Sequence, residues 1–234
     1  MKPLQDALGR ELHTARSQIH DLFVLEPFFG LGGFTELLHQ TNCNFDFRGW
    51  DCGIDDKVYC GDEEGDVRRV ALNDLPNATV VAGGPSCKPW AGNGDRLGVC
   101  HEQAELYETA VSWVIEEGQR GCLYMFLLEN SPNILKKETV MCDGIAREPF
   151  GPRMLQWVEA ALPHFQCELK VQALAPTLPH SRVRCWLRGM RKDILYFQSL
   201  PAALTNLPAV PLAALLDPTL PATDPERLRG QQLK

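Results

Sequence analysis

Residues 22–34 are Leu22-Phe23-Val24-Leu25-Glu26-Pro27-Phe28-Phe29-Gly30-Leu31-Gly32-Gly33-Phe34. The apolar run Leu22–Glu26 predicts a short buried strand, and the spacing of apolar residues from Phe34 onward predicts a helix. The glycines between the two elements allow the backbone to approach a ligand closely, and the helix N-terminus offers unpaired N–H groups. The segment therefore predicts a strand, a ligand-binding turn and a helix in succession.

The alternation of apolar strands and helices continues along the chain. Further strands are predicted at Phe45–Asp51, Thr79–Ala82 and Cys122–Glu129, and helices at Glu102–Glu117 and Pro152–Leu162. Strands separated by helices imply crossover connections, so we expect an α/β fold with a mainly parallel sheet flanked by helices. Two later strands, Glu168–Leu174 and Arg184–Leu187, are expected to pair as an antiparallel closing edge.

Both ends of the chain differ from this α/β region. Residues 1–21 have helical spacing and predict an amphipathic lead-in helix, whereas residues 22–197 hold the predicted strands and helices. Past Phe197 the sequence is rich in Pro, Leu and Ala, and we interpret residues 198–234 as a surface extension. The expected organisation is one catalytic domain between a helix and a Pro-rich extension.

The composition is that of an ordinary globular protein, with 44% hydrophobic and 23% charged residues among 234. Nine cysteines at irregular spacing, without a C-x-x-C pair or a signal-peptide start, indicate a reducing compartment rather than a disulfide framework. No apolar run approaches the roughly 20 residues of a membrane span. We expect an intracellular protein that does not enter a membrane, located in the nucleus of a eukaryote and otherwise in the cytoplasm.

The net charge of −7 is unusual for a protein that binds nucleic acid, because phosphate contacts normally depend on clustered Lys and Arg. Acidic residues concentrate in 51–74. A basic strip without intervening acids comprises Arg182, Arg184, Arg188, Arg191 and Lys192. This strip is either a phosphate-binding surface or an ordinary solvated face.

A second turn, Gly83-Gly84-Pro85-Ser86-Cys87, follows the predicted strand Thr79–Ala82. A stiff loop at a strand end is a suitable place for a nucleophile, and the thiolate is the reactive form of cysteine. The alternative is a buried structural cysteine, since free Cys is among the most buried residue types. The presence of other motifs in the chain favours the interpretation of Cys87 as a nucleophile.

Four motifs in order resemble those of the cytosine-5 DNA methyltransferase family, over Phe23–Met190. The family has an acid-x-F-x-G-x-G-G cofactor loop, a G-P-P-C nucleophile loop, an E-N-V acid and a Q-x-R-x-R pair. Their counterparts here are Glu26–Gly33, Gly84–Cys87, Glu129-Asn130 and His180–Arg184. The resemblance implies a Rossmann-like methyltransferase fold, S-adenosyl-L-methionine as cofactor, and methyl transfer to C5 of cytosine in DNA. One branch of the family uses transfer RNA, which stays open as an alternative substrate.

The resemblance places the cofactor site in the first half of the chain. Glu26 corresponds to the acid that attracts the sulfonium-bearing methionine part, and Asp66 to the acid that meets the adenine amino group. Asp51 suits the ribose hydroxyls and Trp50 offers a flat face to adenine. The full set is Glu26, Phe28, Gly30, Gly32, Gly33, Trp50, Asp51, Asp66, Val67 and Pro85. The plainer alternatives are a loop cap for Glu26 and an exposed loop acid for Asp66.

The resemblance also assigns the chemistry. Cys87 is the thiolate that adds to C6 of cytosine, and Glu129 is the acid that holds a proton at N3, favoured by burial behind an apolar strand. Arg184 donates to the base O2 and favours the thiolate, while Arg182 contacts phosphate or braces the site. The alternative for Glu129 is a strand-end salt bridge to one of the arginines. No metal is expected.

Some positions depart from the family pattern. Ser86 replaces the second Pro of the nucleophile loop, and Gln103 lies near the usual place of an Arg after a mobile loop, here 91–98. Lys88, Ser131 and His180 also differ from the usual residues. The expected target-recognition region and Gly-Asn-Ser segment are not found after Arg184. We therefore expect a fragment, a partner protein that supplies recognition, or a methyltransferase-like protein without turnover. The glycine spacing disfavours an NAD-linked oxidoreductase.

Overall fold

The computed structural model describes residues 22–28, 34, 45–51, 63–64, 66–136, 148–173 and 183–193. The predicted lead-in helix at 1–21 and the extension at 198–234 lie outside these residues, so both stay predictions. The chain divides into two units, Met1–Gln172 with Val183–Ser199, and Ala173–Arg182 with Leu200–Lys234. All the described residues except Ala173 belong to the first unit.

One sheet contains all the strands that the structure describes. They are β1 (Leu22–Pro27), β2 (Phe45–Asp51), β3 (Glu63–Glu64), β4 (Val80–Gly83), β5 (Met125–Asn130), β6 (Phe165–Ala173) and β7 (Val183–Arg191), in the order β3-β2-β1-β4-β5-β7-β6. The pairs β1–β2, β2–β3, β1–β4 and β4–β5 are parallel, whereas β7 is antiparallel to β5. The predicted mainly parallel α/β sheet with an antiparallel edge is confirmed.

Two helices lie in the described part of the chain, α1 (Glu105–Gln119) and α2 (Phe150–Ala161). The buried residues of α1 recur three and four positions apart, as in an amphipathic helix, and include Tyr107, Val111 and Val114. A Cβ added at Gly118 would be 2.6 Å from the Leu162 side chain, so α1 and the end of α2 pack closely. Relative to the prediction, α1 begins three residues later because Glu102 lies in a turn before it.

Alternate residues of the central strands pack on opposite faces of the sheet. Leu25 and Val81 belong to the larger buried cluster that also includes residues of α1 and α2. Val24 and Val80 belong to a second cluster, against which Phe34 packs. Because both faces are covered, β1 and β4 are apolar throughout most of their length, as expected of internal parallel strands.

The order of the strands reverses between β1 and β4, since β2 lies beyond β1 and β5 lies beyond β4. In open α/β sheets, ligands bind in the crevice outside the carboxyl ends of the strands at such a point. The carboxyl ends of β1 and β4 nearly touch here, since a Cβ added at Gly83 would be 2.4 Å from the Pro27 carbonyl oxygen. The fold therefore directs attention to the residues that follow β1, β4 and β5.

Candidate active site

Glu26 lies at the carboxyl end of β1 and is only 1% exposed. Its Oε1 accepts a hydrogen bond of 3.3 Å from the backbone N–H of Phe34, beyond the glycine turn. Phe28 follows with φ of 67°, a left-handed backbone conformation that is strained for a bulky residue and is concentrated at functional sites. Glu26 thus holds the far side of the turn, in agreement with the cap interpretation. The turn glycines Gly30, Gly32 and Gly33 lie outside the described residues.

Trp50 and Asp51 end β2, as predicted. The Trp50 ring packs edge-to-face on Trp113 of α1, with centroids 4.9 Å apart, and is 2% exposed. The ring is therefore covered by protein in this structure, and its contact with an adenine stays a prediction. The side chain of Asp51 is outside the described part of the chain.

Asp66 caps the short 3₁₀ turn Val67–Arg69, because its carboxylate accepts a 3.0 Å bond from the Arg68 N–H. The Arg68 guanidinium binds the same carboxylate and also Glu105, at 2.7 Å. Hydrogen bonding to Arg68 lowers the pKa of Asp66 to about 2, although partial burial opposes the shift. Val67 is buried. Asp66 therefore has a structural role that the sequence did not indicate, and its contact with a cofactor stays a prediction.

The loop after β4 carries Cys87 and is held from β5. Asn130, fully buried at the end of β5, donates from Nδ2 to the carbonyl of buried Pro85 at 3.1 Å. The Cys87 carbonyl accepts the N–H groups of Trp90 and Ala91 at 3.0 and 2.7 Å. Asn130 was not among the predicted site residues, although its place directly after Glu129 was a usable signal. A buried amide thus fixes the loop that presents the candidate nucleophile.

Cys87 is a free thiol and is partly exposed. Burial raises the pKa of Cys167, which is also partly exposed, to about 12 and, with the nearby charge of Glu129, raises that of buried Cys185 to about 11. Those two thiols stay protonated at neutral pH, and only the thiolate is a good nucleophile. The alternative of a fully buried structural cysteine is therefore not what the structure shows at position 87.

Glu129 is the residue before the last of β5 and forms an ion pair with the Arg184 Nε of β7. Their side chains are 21% and 17% exposed, so the pair is shielded without being sealed from solvent. A Cβ added at Gly84 would be 3.3 Å from Glu129 Oε2, which places the carboxyl group against the loop that carries Cys87. The predicted pair of acid and guanidinium does meet beside the nucleophile loop. The salt bridge foreseen as the alternative is also present, while Arg182 lies outside the described residues.

An aromatic contact connects the two halves of the site. The Phe34 ring packs edge-to-face on Trp186, with centroids 6.4 Å apart, and Trp186 is opposite Glu129 in the β5–β7 register. Phe34 is also the residue whose N–H binds Glu26. The acid at the end of β1 and the acid at the end of β5 therefore lie on neighbouring parts of one sheet edge.

Solved methyltransferase structures resemble this arrangement of strands and helices. The Dnmt2 methyltransferase of S. pombe superposes with a TM-score of 0.51 at 14% identity, over 76% of this chain and 50% of that one. The methyltransferase EhMeth of Entamoeba histolytica gives 0.52 at 14% identity, over 78% of this chain and 56% of that one. The fold is that of Rossmann-like methyltransferases.

At this identity the likeness concerns the fold alone, and the chain spans about half the length of those two proteins. No protein-family model and no curated protein sequence matches the chain.

The described cations of the basic strip form ion pairs and hydrogen bonds with other groups of this chain. Arg188 is ion-paired with Glu168, and Arg191 with Asp193 at 2.8 Å. Lys192 donates to the Pro163 carbonyl at 2.8 Å. With Arg184 on Glu129, every described cation of the strip has an internal partner, which favours a structural role over a phosphate-binding one for its outer members.

The loop at 91–98 is bonded to the segment that follows Cys87. The N–H of Asp95 donates to the Lys88 carbonyl at 3.2 Å and that of Gly98 to the Pro89 carbonyl at 2.9 Å. A Cβ at Gly94 would be 2.3 Å from the Lys88 carbonyl oxygen, so only glycine fits there. The predicted mobile loop is thus closed onto the nucleophile segment in this structure.

Three further observations concern metal sites, membrane-spanning helices and disulfide bonds. Among the residues that the structure describes, no cluster of three or more His, Cys, Asp or Glu side chains has the geometry of a metal site. Neither described helix is long and apolar enough to cross a bilayer. Cys100 is disulfide-bonded. The other four cysteines in the part of the chain that the structure describes are free.

Proposed function

We propose that this chain transfers a methyl group from S-adenosylmethionine to C5 of cytosine in DNA, through a covalent bond between Cys87 and C6. The observation that carries the proposal is the convergence of the Cys87 loop with Glu129 and Arg184 on one edge of a methyltransferase fold. These groups are 42 or more residues apart in sequence, and the order of the strands brings them together. Their order along the chain also agrees with the family that the motifs resemble.

The residues around β1 fit the proposed cofactor. The ends of β1 and β4 form the crevice where doubly wound sheets bind adenosine ligands. Glu26 places a buried carboxylate beside that crevice, and a negative charge suits a positively charged sulfonium. S-adenosylmethionine supplies, when bound, the electrophilic methyl group of the reaction. Glu26 and Phe28 would hold its methionine part.

Cys87 starts the proposed chemistry. Its thiolate forms the Sγ–C6 bond, and the electron pair of the C5–C6 double bond moves onto C5, which becomes nucleophilic. C5 would use that electron pair to bond the methyl group as the bond from the methyl group to the cofactor sulfur breaks. When a base then removes the C5 proton, the electron pair of the C5–H bond restores the C5–C6 double bond and Cys87 leaves as a thiolate. The cytosine must leave the base stack to reach this site, at a cost of a few kcal/mol.

Glu129 and Arg184 neutralise the charge that this addition places on the ring. In the structure they neutralise each other. When the O2 atom of a bound cytosine accepts hydrogen bonds from Arg184, the guanidinium would no longer be paired with Glu129. The carboxyl group would then hold a proton at N3, because a carboxyl group without its cation binds a proton more readily.

The binding partners are part of the proposal. We propose DNA as the substrate and a second protein as the source of target recognition, in an intracellular setting. The internal pairing of the basic strip supports a partner, because the described cations of that strip already bind groups of this chain rather than phosphates.

The test of the proposal compares Cys87→Ala with the matched control Cys122→Ala, another free and partly exposed thiol. Transfer of labelled methyl groups to DNA and to transfer RNA is measured, and calorimetry gives the affinity for S-adenosylmethionine. We expect Cys87→Ala to bind the cofactor normally and transfer nothing, whereas Cys122→Ala transfers at the wild-type rate. Transfer by Cys87→Ala at the wild-type rate refutes the mechanism, and transfer to transfer RNA alone replaces DNA as the substrate.

A trapping experiment tests the covalent step separately. An oligonucleotide with 5-fluorocytosine cannot lose its C5 substituent as a proton, so the Cys87 adduct accumulates. We expect an adduct with the wild-type chain and none with Cys87→Ala. Cofactor binding without an adduct would instead identify a non-catalytic methyltransferase-like protein.

A further inference from the structure

Ser86, the residue directly before Cys87, donates a hydrogen bond of 2.6 Å from its hydroxyl to Oε1 of Gln103. The two residues are 17 positions apart, and both are partly buried. Both are also places where this sequence departs from the motifs that it resembles, which have Pro and Arg there. Two departures that contact each other suggest one compensated change rather than two independent ones.

Gln103 is itself fixed by a chain of bonds. Its backbone N–H donates to His101 Nδ1 at 3.0 Å, and His101 Nε2 is 2.7 Å from Asp95 Oδ2. In a neutral imidazole, an accepting Nδ1 leaves the proton on Nε2, which then donates to Asp95. The His101 side chain is only 8% exposed, so solvent competes little for these bonds.

The same chain of bonds returns to the residue after Cys87. The Asp95 N–H donates to the carbonyl of Lys88 at 3.2 Å. Ser86, Gln103, His101, Asp95 and Lys88 therefore form a closed circuit, here called the Cys87 bracket, which holds both neighbours of the candidate nucleophile.

The bracket compensates for a missing proline. Proline locks φ near −65°, whereas serine at the same place leaves the backbone freer. A hydroxyl that is bonded to a fixed side chain restores part of that restriction. Proline has no hydroxyl to donate, so this contact forms only in a chain that has a hydroxyl side chain at position 86.

We propose that Gln103 is a positioning residue for Cys87, which acts through Ser86 and is held in place by His101. The inference rests on the proposed role of Cys87 as nucleophile. The loop does not depend on the bracket for folding, because Asn130 separately binds the Pro85 and Ser86 carbonyls. Loss of the bracket should therefore loosen the thiol without unfolding the domain.

The experiment measures the rate at which iodoacetamide alkylates Cys87, with Cys122 of the same molecule as the internal reference. One hydrogen bond is worth about 0.5–1.5 kcal/mol, so Ser86→Ala or Gln103→Ala should speed the alkylation of Cys87 by about 2–10-fold. The double variant should be no faster than either single variant, since both remove the same bond. The alkylation rate of Cys122 should not change.

Conservative and control variants sharpen the test. Ser86→Pro should rescue Gln103→Ala, because proline restricts the backbone without needing the glutamine. Ser112→Ala, which removes a hydroxyl bonded only to the Glu108 carbonyl of α1, and Gln119→Ala, at the exposed end of α1, should leave Cys87 unchanged.

An unchanged Cys87 rate in Gln103→Ala would overturn the inference. Equal acceleration of Cys87 and Cys122 would also overturn it, because it indicates general loosening. The alkylation rates do not require methyl transfer. If they change as expected while the wild-type chain transfers no methyl group, the positioning role stands and the proposed function fails. If transfer occurs, Gln103→Ala should lower kcat by about 2–10-fold with the KM for S-adenosylmethionine unchanged.

Discussion

Arg184 is ion-paired with Glu129 across the antiparallel strands β5 and β7. Glu129 is opposite Trp186 in the register, so Arg184, two residues from Trp186, projects from the same face and reaches Glu129 diagonally. The register of the antiparallel edge therefore brings a carboxyl group and a guanidinium together next to Gly84. A one-residue slip of β7 would move Arg184 to the other face of the sheet.

Glu129→Gln should abolish proton transfer at N3 while keeping the size of the side chain. A general acid contributes about 10²–10⁴-fold to rate, and kcat for methyl transfer should fall by that factor. Calorimetric affinity for S-adenosylmethionine should be unchanged, because Glu129 is on the β5 side of the site. The matched control is Glu168→Gln. It removes the carboxylate that is paired with Arg188, an arginine of the same strand as Arg184. Turnover near the wild-type level in Glu129→Gln would contradict the assignment.

Arg184→Met should remove the donor to the base and leave Glu129 without its cation. Loss of one preorganised donor to a developing charge lowers rate by about 10²–10³-fold. The same loss should slow formation of the 5-fluorocytosine adduct, which reports the attack of Cys87. Arg188→Met removes another guanidinium of β7, the one that is paired with Glu168, and should keep the wild-type rate. Comparable loss in both variants would point to β7 packing instead.

Gly83→Ala should destabilise the domain strongly, because its Cβ would be 2.4 Å from the Pro27 carbonyl oxygen. Overpacking of this kind costs about 1–3 kcal/mol, and relief requires β1 and β4 to separate where the cofactor would bind. Gly84→Ala, whose Cβ would be 3.3 Å from Glu129 Oε2, should be tolerated better in folding. Urea denaturation of the two variants measures the difference. Equal stability would show that the ends of β1 and β4 are farther apart.

Asn130→Ala should loosen the Cys87 loop by leaving the buried Pro85 carbonyl without its amide donor. An unsatisfied buried group costs about 1–3 kcal/mol of folding free energy. Urea denaturation should detect that loss, and alkylation of Cys87 should accelerate relative to Cys122. Asn133→Ala, which removes a 2.8 Å bond to the Trp90 carbonyl three residues after Cys87, should have a smaller effect on Cys87. An unchanged alkylation rate of Cys87 in Asn130→Ala would show that Asn130 does not hold the Cys87 loop.

Asp66→Asn should lower stability in a pH-dependent way. Asp66 has a pKa of about 2 in the folded chain against 3.8 without its partner, so its ionised form favours the folded state. The contribution is fully present above about pH 4 and is lost as pH falls towards the folded value. The difference in Tm between wild type and Asp66→Asn should therefore be larger at pH 6 than at pH 3. A difference that is equal at the two values would mean that the Arg68 pair is not formed.

Local pattern was sufficient for most of the fold. The strand Phe45–Asp51, in which apolar and polar residues alternate at its start, was predicted with the observed bounds. β1 was predicted with one residue fewer than observed, because a buried internal strand is a continuous apolar run. The bounds of α1 and of β5 to β7 were less accurate, since they depend on pairing and capping partners that are distant in sequence. For example, β7 extends from Val183 to Arg191, beyond the predicted Arg184–Leu187, because it pairs with β5 along Met125–Asn130.

The chemistry of single positions was also visible in the sequence, because a cysteine, a glutamate or an arginine has the same functional group in any fold. What the tertiary structure decided is which of these groups meet. It paired Glu129 with Arg184 and packed Trp50 against Trp113. It also formed the hydrogen bonds from Arg68 to Asp66 and from Ser86 to Gln103. The physical reason is that hydrogen bonds and ion pairs act over a few ångströms, and only strand order and register bring residues that are distant in sequence within that range.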